Sequence, residues 1–415
     1  MPGDRPGRAA VDRWRTGADM LARVRREKAL TRVSLAASMH LASASATEVT
    51  ARLRALGWLR EQRAEPEGRG RPTTVVHACA ATDGGPVVLA VELRYEDWRC
   101  AVAGLDGQLH DLRTQPYDTR DPWQAVHRLR GRLDQVVREH RVVAIGVAVA
   151  AAVHAGADAV SDPDLGWGPL RLRPLTDRED AVPVLVGNDA TLAGVAEARA
   201  GAAAEAETAL YVTVEVGVGG ALLLGGSPQT GAHGAAGEFG HLPFGEPDRR
   251  CPCGARACWQ LEVDGRALAR RLGEPEPSDP RDYALRVLRA ARGRSPAARA
   301  VADSARALGR GVAGLVNALD PEVVILGGLG PPLRAQASGA FGDALHDGLM
   351  AVHRRRPPPV LDAAHGDRAV LRGAAEIALD KATGPGALAR QAESQRAAPP
   401  GHPALGTASA TPSSG

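Results

Sequence analysis

Lysine is almost missing from this chain. Lys28 and Lys381 are the only two among 415 residues, and arginine carries nearly all of the positive charge. With the alanine bias this reads as the mark of a GC-rich genome, so arginine abundance alone is weak support for nucleic acid. Aromatic residues are also scarce, at 3%. No uncharged apolar run approaches the roughly 18 residues that a membrane span needs, which leaves no membrane partner. Met1 to Arg15 contains Arg and Asp but no apolar leader core, so a secretory signal is excluded and the expected compartment is the cytoplasm. Cysteine is sparse as well: five in all, too few for a disulfide framework. Three of them fall within eight residues, the mark of a metal site in a reducing compartment. What remains is ordinary globular material, 44% apolar and 24% charged. That is enough to fill the cores of two or three domains of about 150 residues.

The charge is uneven. Residues 1–75 hold 15 Arg and Lys against 8 Asp and Glu, a net of +7, whereas the whole chain is +3. A basic module on a mildly acidic body points to an anionic partner for the first part only. The pattern there is helix, helix, turn, helix and a two-stranded wing. Val11, Trp14, Ala18, Leu21, Ala22 and Val24 are spaced for a helix. Thr31 can cap a short helix over 32–38, and Ser43 or Ser45 a third one that Gly57 stops. Strands at 58–60 and 73–76 flank Arg69-Gly70-Arg71-Pro72. This predicts a winged helix-turn-helix over 10–78. Its third helix presents Ser43, Ser45, Thr47, Glu48, Thr50 and Arg54. Small hydroxyl residues suit close approach to the major groove of double-stranded DNA, and Arg52 and Arg54 suit phosphate. Arg69 and Arg71 in the wing can enter the minor groove. The alternative use of such a module is contact with protein.

Beyond it, apolar strand signals at 87–93, 100–104, 142–149, 182–186, 210–214, 221–224 and 323–326 alternate with helical stretches at 122–140, 190–200, 264–272, 281–292 and 296–319. That order predicts a mostly parallel α/β body of two lobes dividing near residue 190. From 384 to 415 the chain is rich in Ala, Pro, Ser and Gly and lacks periodicity, so a disordered tail is expected.

The sharpest motif is His241, Cys251, Cys253 and Cys258, spaced H-x9-C-x-C-x4-C. One imidazole and three soft thiolates suit tetrahedral structural Zn²⁺, and Gly254 permits the tight turn between the sulfurs. Around it stand GAAGEFGH at 234–241, CPCGARACW at 251–259, GNDATLAGVAEA at 187–198, LYVTVEVGVGGALLLGG at 210–226 and NALDPEVVILGG at 317–328. With these segments the chain resembles the ROK family of sugar-responsive repressors and sugar kinases over about residues 10–383. The resemblance implies an actin-like, hexokinase-like pair of α/β lobes over 85–383, and homodimers or homotetramers. The winged helix resembles the repressor branch, which carries a similar Gly-Arg-Pro wing.

By the same resemblance Asn188 and Asp189 match a sugar contact and a catalytic base, and Glu238 and His241 match sugar-hydroxyl ligands. His241 would then hold zinc with one ring nitrogen and sugar with the other. By its residues alone, Asn188-Asp189 can equally be a strand end and helix cap. The departures are specific. Where the family's kinases have Asp-x-Gly-Gly-Thr, this chain has Glu92-Leu93-Arg94-Tyr95-Glu96. Where they have Gly-Thr-Gly-x-Gly-Gly, it has Glu215-Val216-Gly217-Val218-Gly219-Gly220. Backbone N–H groups reach phosphate only where side chains are absent, and Glu96 and Glu215 add like charge. No catalysis is expected, and Asp189 is expected to be a vestigial base. A family Glu on the sugar is Gln260, and the Pro-Gly after the 142–149 strand is Ala150-Ala151-Ala152. The expectation is a DNA-binding regulator, a repressor of sugar metabolism or transport, that senses a sugar or sugar phosphate. The alternatives are an ATP-dependent sugar kinase and a ligand-blind oligomeric DNA-binding protein. A basic run, His353-Arg354-Arg355-Arg356, reads as a solvated turn.

Overall fold

The computed structural model describes residues 7–27, 29–63, 74–94, 97–116, 122–151, 153, 159–162, 167–172, 175 and 182–397. The chain divides into two compact units. One is made of residues 1–147, 173–185 and 374–415, the other of 148–172 and 186–373. These do not follow the expected boundaries at 10–78 and 85–383, because the N-terminal helices pack with the first sheet and with the C-terminal end of the chain.

Helix α1 (Arg8–Glu27) buries Trp14, Gly17, Met20, Leu21 and Val24, a stripe at the three-to-four spacing of an amphipathic helix. Arg25 and Arg26 fill its last turn, where cations complement the helix dipole. After β1 (Ala29–Thr31), α2 (Arg32–Ser38) starts at Thr31, whose hydroxyl accepts from the Ser34 N–H at 3.0 Å. Helix α3 (Ser43–Ala55) follows Ala42 with no side-chain cap, so neither Ser43 nor Ser45 caps it. Strands β2 (Leu59–Arg63) and β3 (Thr74–Ala78) complete an antiparallel sheet in the order β1-β3-β2.

The body begins with β4 (Val87–Leu93), β5 (Asp97–Ala103), β6 (Leu109–Pro116), α4 (Pro122–Glu139) and β7 (Val142–Val149). A separate antiparallel hairpin, β8 (Ala159–Asp162) and β9 (Trp167–Arg171), comes next. Then β10 (Val184–Asn188) runs directly into α5 (Asp189–Ala200). The first large sheet has the order β10-β7-β4-β5-β6. The second is built from β11 (Thr208–Glu215), β12 (Gly217–Leu224), β13 (Ser227–Pro228), β14 (Val323–Gly328) and β15 (Val360–Asp362), in the order β13-β12-β11-β14-β15. Each sheet thus repeats one plan. Three strands form an antiparallel meander, and two later strands add to the other flank of the first. In the second sheet those two additions are parallel. The sheets are therefore mixed rather than mostly parallel, because hairpin turns such as Asp106-Gly107 allow antiparallel neighbours without a crossover.

Helices α6 (Gly265–Leu272), α7 (Pro280–Ala290) and α8 (Pro296–Leu319) pack on the second sheet around a core that includes Trp259, Val301, Leu308 and Val316. Then come α9 (Gly330–Gln336), α10 (Ser338–Gly348) and α11 (Ala351–Arg355), and finally α12 (Ala369–Thr383) and α13 (Pro385–Ala397). The disordered stretch expected from 384 is thus a helix as far as Ala397. Leu388, Ala389 and Ala392 are buried there, against α1, which supplies the apolar seat that local composition does not reveal. Residues 398–415 lie outside the described residues. Among the described residues no helix is long and apolar enough to cross a membrane.

Candidate metal centre and ligand site

His241, Cys251, Cys253 and Cys258 come together in the second unit. Their donor atoms all lie within 4.8 Å of one another. Cys253 Sγ is 3.7 Å from Cys258 Sγ, and Cys251 Sγ is 3.8 Å from His241 Nδ1. A tetrahedral ion bonded to sulfur at about 2.3 Å and to nitrogen at about 2.0 Å would set these separations near ~3.8 and ~3.6 Å. Gly254, with φ of 94°, turns the chain between the sulfurs. Burial, then the neighbouring Cys253 and Cys251, push the Cys258 thiol up to about 12, and burial raises that of Cys251. Packing three thiolates together is costly unless a cation neutralises them, so this donor set fits a metal ion. Gln260, 5% exposed, donates from Nε2 to Cys251 Sγ at 3.5 Å.

The expected ligand residues gather around β12. A Cβ on Gly219 would stand 2.7 Å from the Cβ of Ala190, beside Asp189, so only glycine lets α5 start this close. A Cβ on Gly240 would meet Val218 O at 2.3 Å and Gln260 Oε1 at 2.9 Å. Asn188, Asp189, Glu238, His241 and Gln260 therefore share one neighbourhood. Asn188 is the N-cap of α5: its Oδ1 accepts from the Thr191 N–H at 3.0 Å and its Nδ2 donates to Ala151 O at 3.3 Å. The capping alternative thus holds for Asn188. The Asp189 carboxylate accepts from the Ala190 N–H at 2.7 Å, at the positive end of the helix dipole. His241 Nδ1 faces the thiols, while its Nε2 is 3.9 Å from Glu238 Oε2.

Both phosphate-loop stretches carry internal ion pairs. Glu92 and Arg99 are register partners on β4 and β5, buried, with Arg99 Nη2 2.6 Å from Glu92 Oε2. Arg94 donates from Nε and Nη2 to the two oxygens of Asp97, at 2.8 and 2.6 Å. Tyr95 and Glu96 lie outside the described residues. In the second unit, Arg281 Nε donates to Glu215 Oε2 at 2.6 Å and Arg281 Nη2 also reaches Asp367.

On α3, Ser43, Ser45 and Thr47 are exposed. Thr50 is not a surface residue: it is 1% exposed and donates to Ala46 O at 2.7 Å. It belongs to the inward stripe Ala46, Val49, Thr50, Leu53, a helical spacing already present in the sequence. Arg52 stacks over Trp14 at 5.3 Å. Arg54 is paired with Glu61 at 2.8 Å, and Glu61 also holds Arg32 at 2.6 Å. Glu61 escaped the sequence reading, although it is an acid amid arginines. Arg69 and Arg71 lie outside the described residues.

Comparison with known proteins places this geometry. The sequence model of the ROK family matches residues 88–381. The glucokinase of Streptomyces coelicolor is 29% identical over 270 residues, 58% of this chain and 81% of that protein. The crystal structure of a ROK family glucokinase from Streptomyces griseus, in complex with glucose and AMPPNP, superposes with a TM-score of 0.60 at 25% identity. It covers 70% of this chain and 99% of that one. A ROK family transcriptional regulator, a homologue of the Escherichia coli MLC protein, superposes with a TM-score of 0.72 over 92% of this chain and 99% of its own. At 20% identity that is a likeness of fold.

Proposed function

The chain belongs to the ROK family, and from that premise we propose that it is a DNA-binding transcriptional regulator, a repressor of sugar metabolism or transport. Its kinase-like body would sense a sugar or sugar phosphate rather than phosphorylate it. The observation that carries this reading is the N-terminal module. A glucokinase accounts for 70% of the chain. The first 75 residues, net +7, add three helices and a small antiparallel sheet. In this reading residues 10–78 form a winged helix-turn-helix. Ser43, Ser45 and Thr47 on α3 face the major groove, and Arg69 and Arg71 of the wing face the minor groove. A homodimer or homotetramer would read an inverted repeat in the cytoplasm, where thiols stay reduced.

His241, Cys251, Cys253 and Cys258 would hold structural Zn²⁺. When bound, the ion supplies the positive charge that keeps three thiolates together. His241 is then held with Nε2 on the Glu238 side, and Gln260 supports Cys251 from behind. Asn188, Asp189, Glu238, His241 and Gln260 would bind sugar hydroxyls. Their carboxylates and amides can accept and donate in the pattern a polyol needs. Ligand changes DNA affinity only if it binds the two forms of the protein unequally. The loss of catalysis is supported by Glu92 and Glu215, acidic where phosphate would lie and already paired with Arg99 and Arg281. Each like-charge contact costs on the order of 1 kcal/mol or more near a partly desolvated phosphate.

The test is fluorescence anisotropy of the full chain on DNA from upstream of its own gene, across salt, with and without hexoses and hexose phosphates. Sequence-selective binding that a sugar alters is expected. Its absence overturns the reading. A second reading, an ATP-dependent sugar kinase, is favoured by the retained Asp189 and by the glucokinase likeness. Hexose-dependent ADP release that Asp189→Asn abolishes would establish it instead.

A further inference from the structure

We propose that the C-terminal helix α13 is a working part of the N-terminal module, and that Gln391 and Gln395 are positioning residues for α3. The proposal deepens the DNA-binding reading and rests on it for its functional half. The structural half stands on contacts within the first unit. The last carbonyls of a helix have no partner inside it. At the C-terminal end of α3, two such carbonyls are met by side chains from elsewhere. Gln395 donates from Nε2 to Ala55 O at 3.2 Å, and Arg141, just ahead of β7, donates from Nη1 to Leu56 O at 3.1 Å.

Gln391 makes the companion contact. Its Oε1 accepts from Trp58 Nε1 at 2.9 Å, and its Nε2 donates to Ala382 O at 2.8 Å. Trp58 is fully buried where the chain leaves α3 for β2. One amide therefore joins that exit to the end of α12. The seat is built in depth. Leu388 is fully buried, and at Gly17 the helices α1, α3 and α13 meet: a Cβ there would lie 3.6 Å from Leu53 and 3.9 Å from Leu388. Arg25 of α1 reaches across to Glu376 at 2.5 Å and Asp380 at 3.0 Å on α12. Held at its C-terminal end from two directions, α3 has a set axis, and that axis aims Ser43, Ser45 and Thr47. A C-terminal segment thereby decides the presentation of a surface more than 330 residues before it.

The experiment compares the full chain with four variants: Gln391→Ala/Gln395→Ala, Gln395→Lys, a truncation after Gly384 and a truncation after Ala397. Amide hydrogen exchange and DNA anisotropy across salt are the readouts. The double variant should raise exchange in the last turn of α3 by about tenfold, the effect of losing a cap, and leave β11 and β14 unchanged. Its DNA affinity should fall by about tenfold with an unchanged salt slope, because no phosphate contact is lost; a residue touching phosphate would lower the slope by about 1. Gln395→Lys keeps a donor for Ala55 O and should behave as the parent. Truncation after Gly384 should loosen α1 and α3 more strongly, and truncation after Ala397 should change neither. Parental exchange in α3 for the double variant overturns the proposal, whether or not the truncated chain folds. Raised exchange with parental affinity, in a protein that binds DNA selectively, overturns the positioning role. If the full chain has no selective DNA binding, the DNA reading itself has failed, and the exchange arm alone decides the seat.

Discussion

Single side chains here carry charge in places that set measurable signs. Asp264 caps α6 by accepting from the Ala267 N–H at 3.0 Å, yet it is almost fully buried, and burial raises its carboxyl to about 6. The folded state then binds this proton more tightly than the unfolded chain. Stability is greatest below the ordinary carboxylate value and falls as pH rises through about 6. At pH 8 the charge costs the folded state on the order of 2–3 kcal/mol. Asp264→Asn keeps the capping oxygen without the charge. It should raise Tm at pH 8 and flatten the decline of Tm between pH 4 and 6, as thermal scans in both buffers would read. An undiminished slope would locate that decline elsewhere. Glu61 gives the second case. Its side chain is 12% exposed and restrains both Arg32 and Arg54. Glu61→Gln should free two cations on the DNA side. The salt slope of DNA binding should steepen by about 1 to 2, at roughly 0.9 per added phosphate contact, and low-salt affinity should rise. An unchanged slope would mean that these arginines do not reach DNA.

Elements explain which side chains can be where they are, and α8 is the clearest instance. Gly311 on it would, with a Cβ, stand 2.0 Å from the Trp259 ring. Trp259 is fully buried, donates to Ala307 O at 2.9 Å and directly follows the metal-site residue Cys258. The helix is thus the floor of the metal loop. Gly311→Ala should cost about 1–3 kcal/mol by overpacking and lower Tm by about 3–10 °C. It should also speed metal loss to a chelator, because the displaced indole pulls on Cys258; parental metal retention with a lowered Tm would separate floor from loop. Cys253→Ser should abolish stoichiometric zinc by elemental analysis. Elements also mark how far the sequence could be read. The metal set was legible because four ligands lie within 18 residues, where short loops leave few other arrangements. The stripe of α1 and the Thr31 cap were legible because helical period and capping are local. Strand direction was not, because pairing is decided by neighbours distant in the chain. Helix α13 was not, because its Ala, Gly and Gln say little until Leu388 finds α1. Thr50 was misplaced by its hydroxyl, although its spacing from Ala46, Val49 and Leu53 already turned it inward.

At the scale of the whole molecule, the chain repeats one sheet plan twice and places its two departures from kinase chemistry one in each unit. Glu92 with Arg99 belongs to the first sheet, and Glu215 with Arg281 to the second unit. Neither departure touches Asn188, Asp189, Glu238, His241 or Gln260. Sugar binding and nucleotide binding should therefore come apart in this protein. A ligand that binds only the folded chain stabilises it by about 2.7 kcal/mol at a hundredfold excess over Kd. For a protein with domains of this size that is a rise in Tm of about 5–10 °C. The expected outcome of a thermal-shift screen is such a rise with one sugar or sugar phosphate, and no rise with Mg-ATP, alone or added to the sugar. The two arms answer different questions. A flat response to every sugar would leave a ligand-blind DNA-binding protein, and a further rise with Mg-ATP would return the kinase reading. Asp189→Ala should remove the sugar response while leaving the unliganded Tm within about 2 °C, since Asn188 still caps α5. Loss of the response together with a large fall in the unliganded Tm would instead make Asp189 a structural residue.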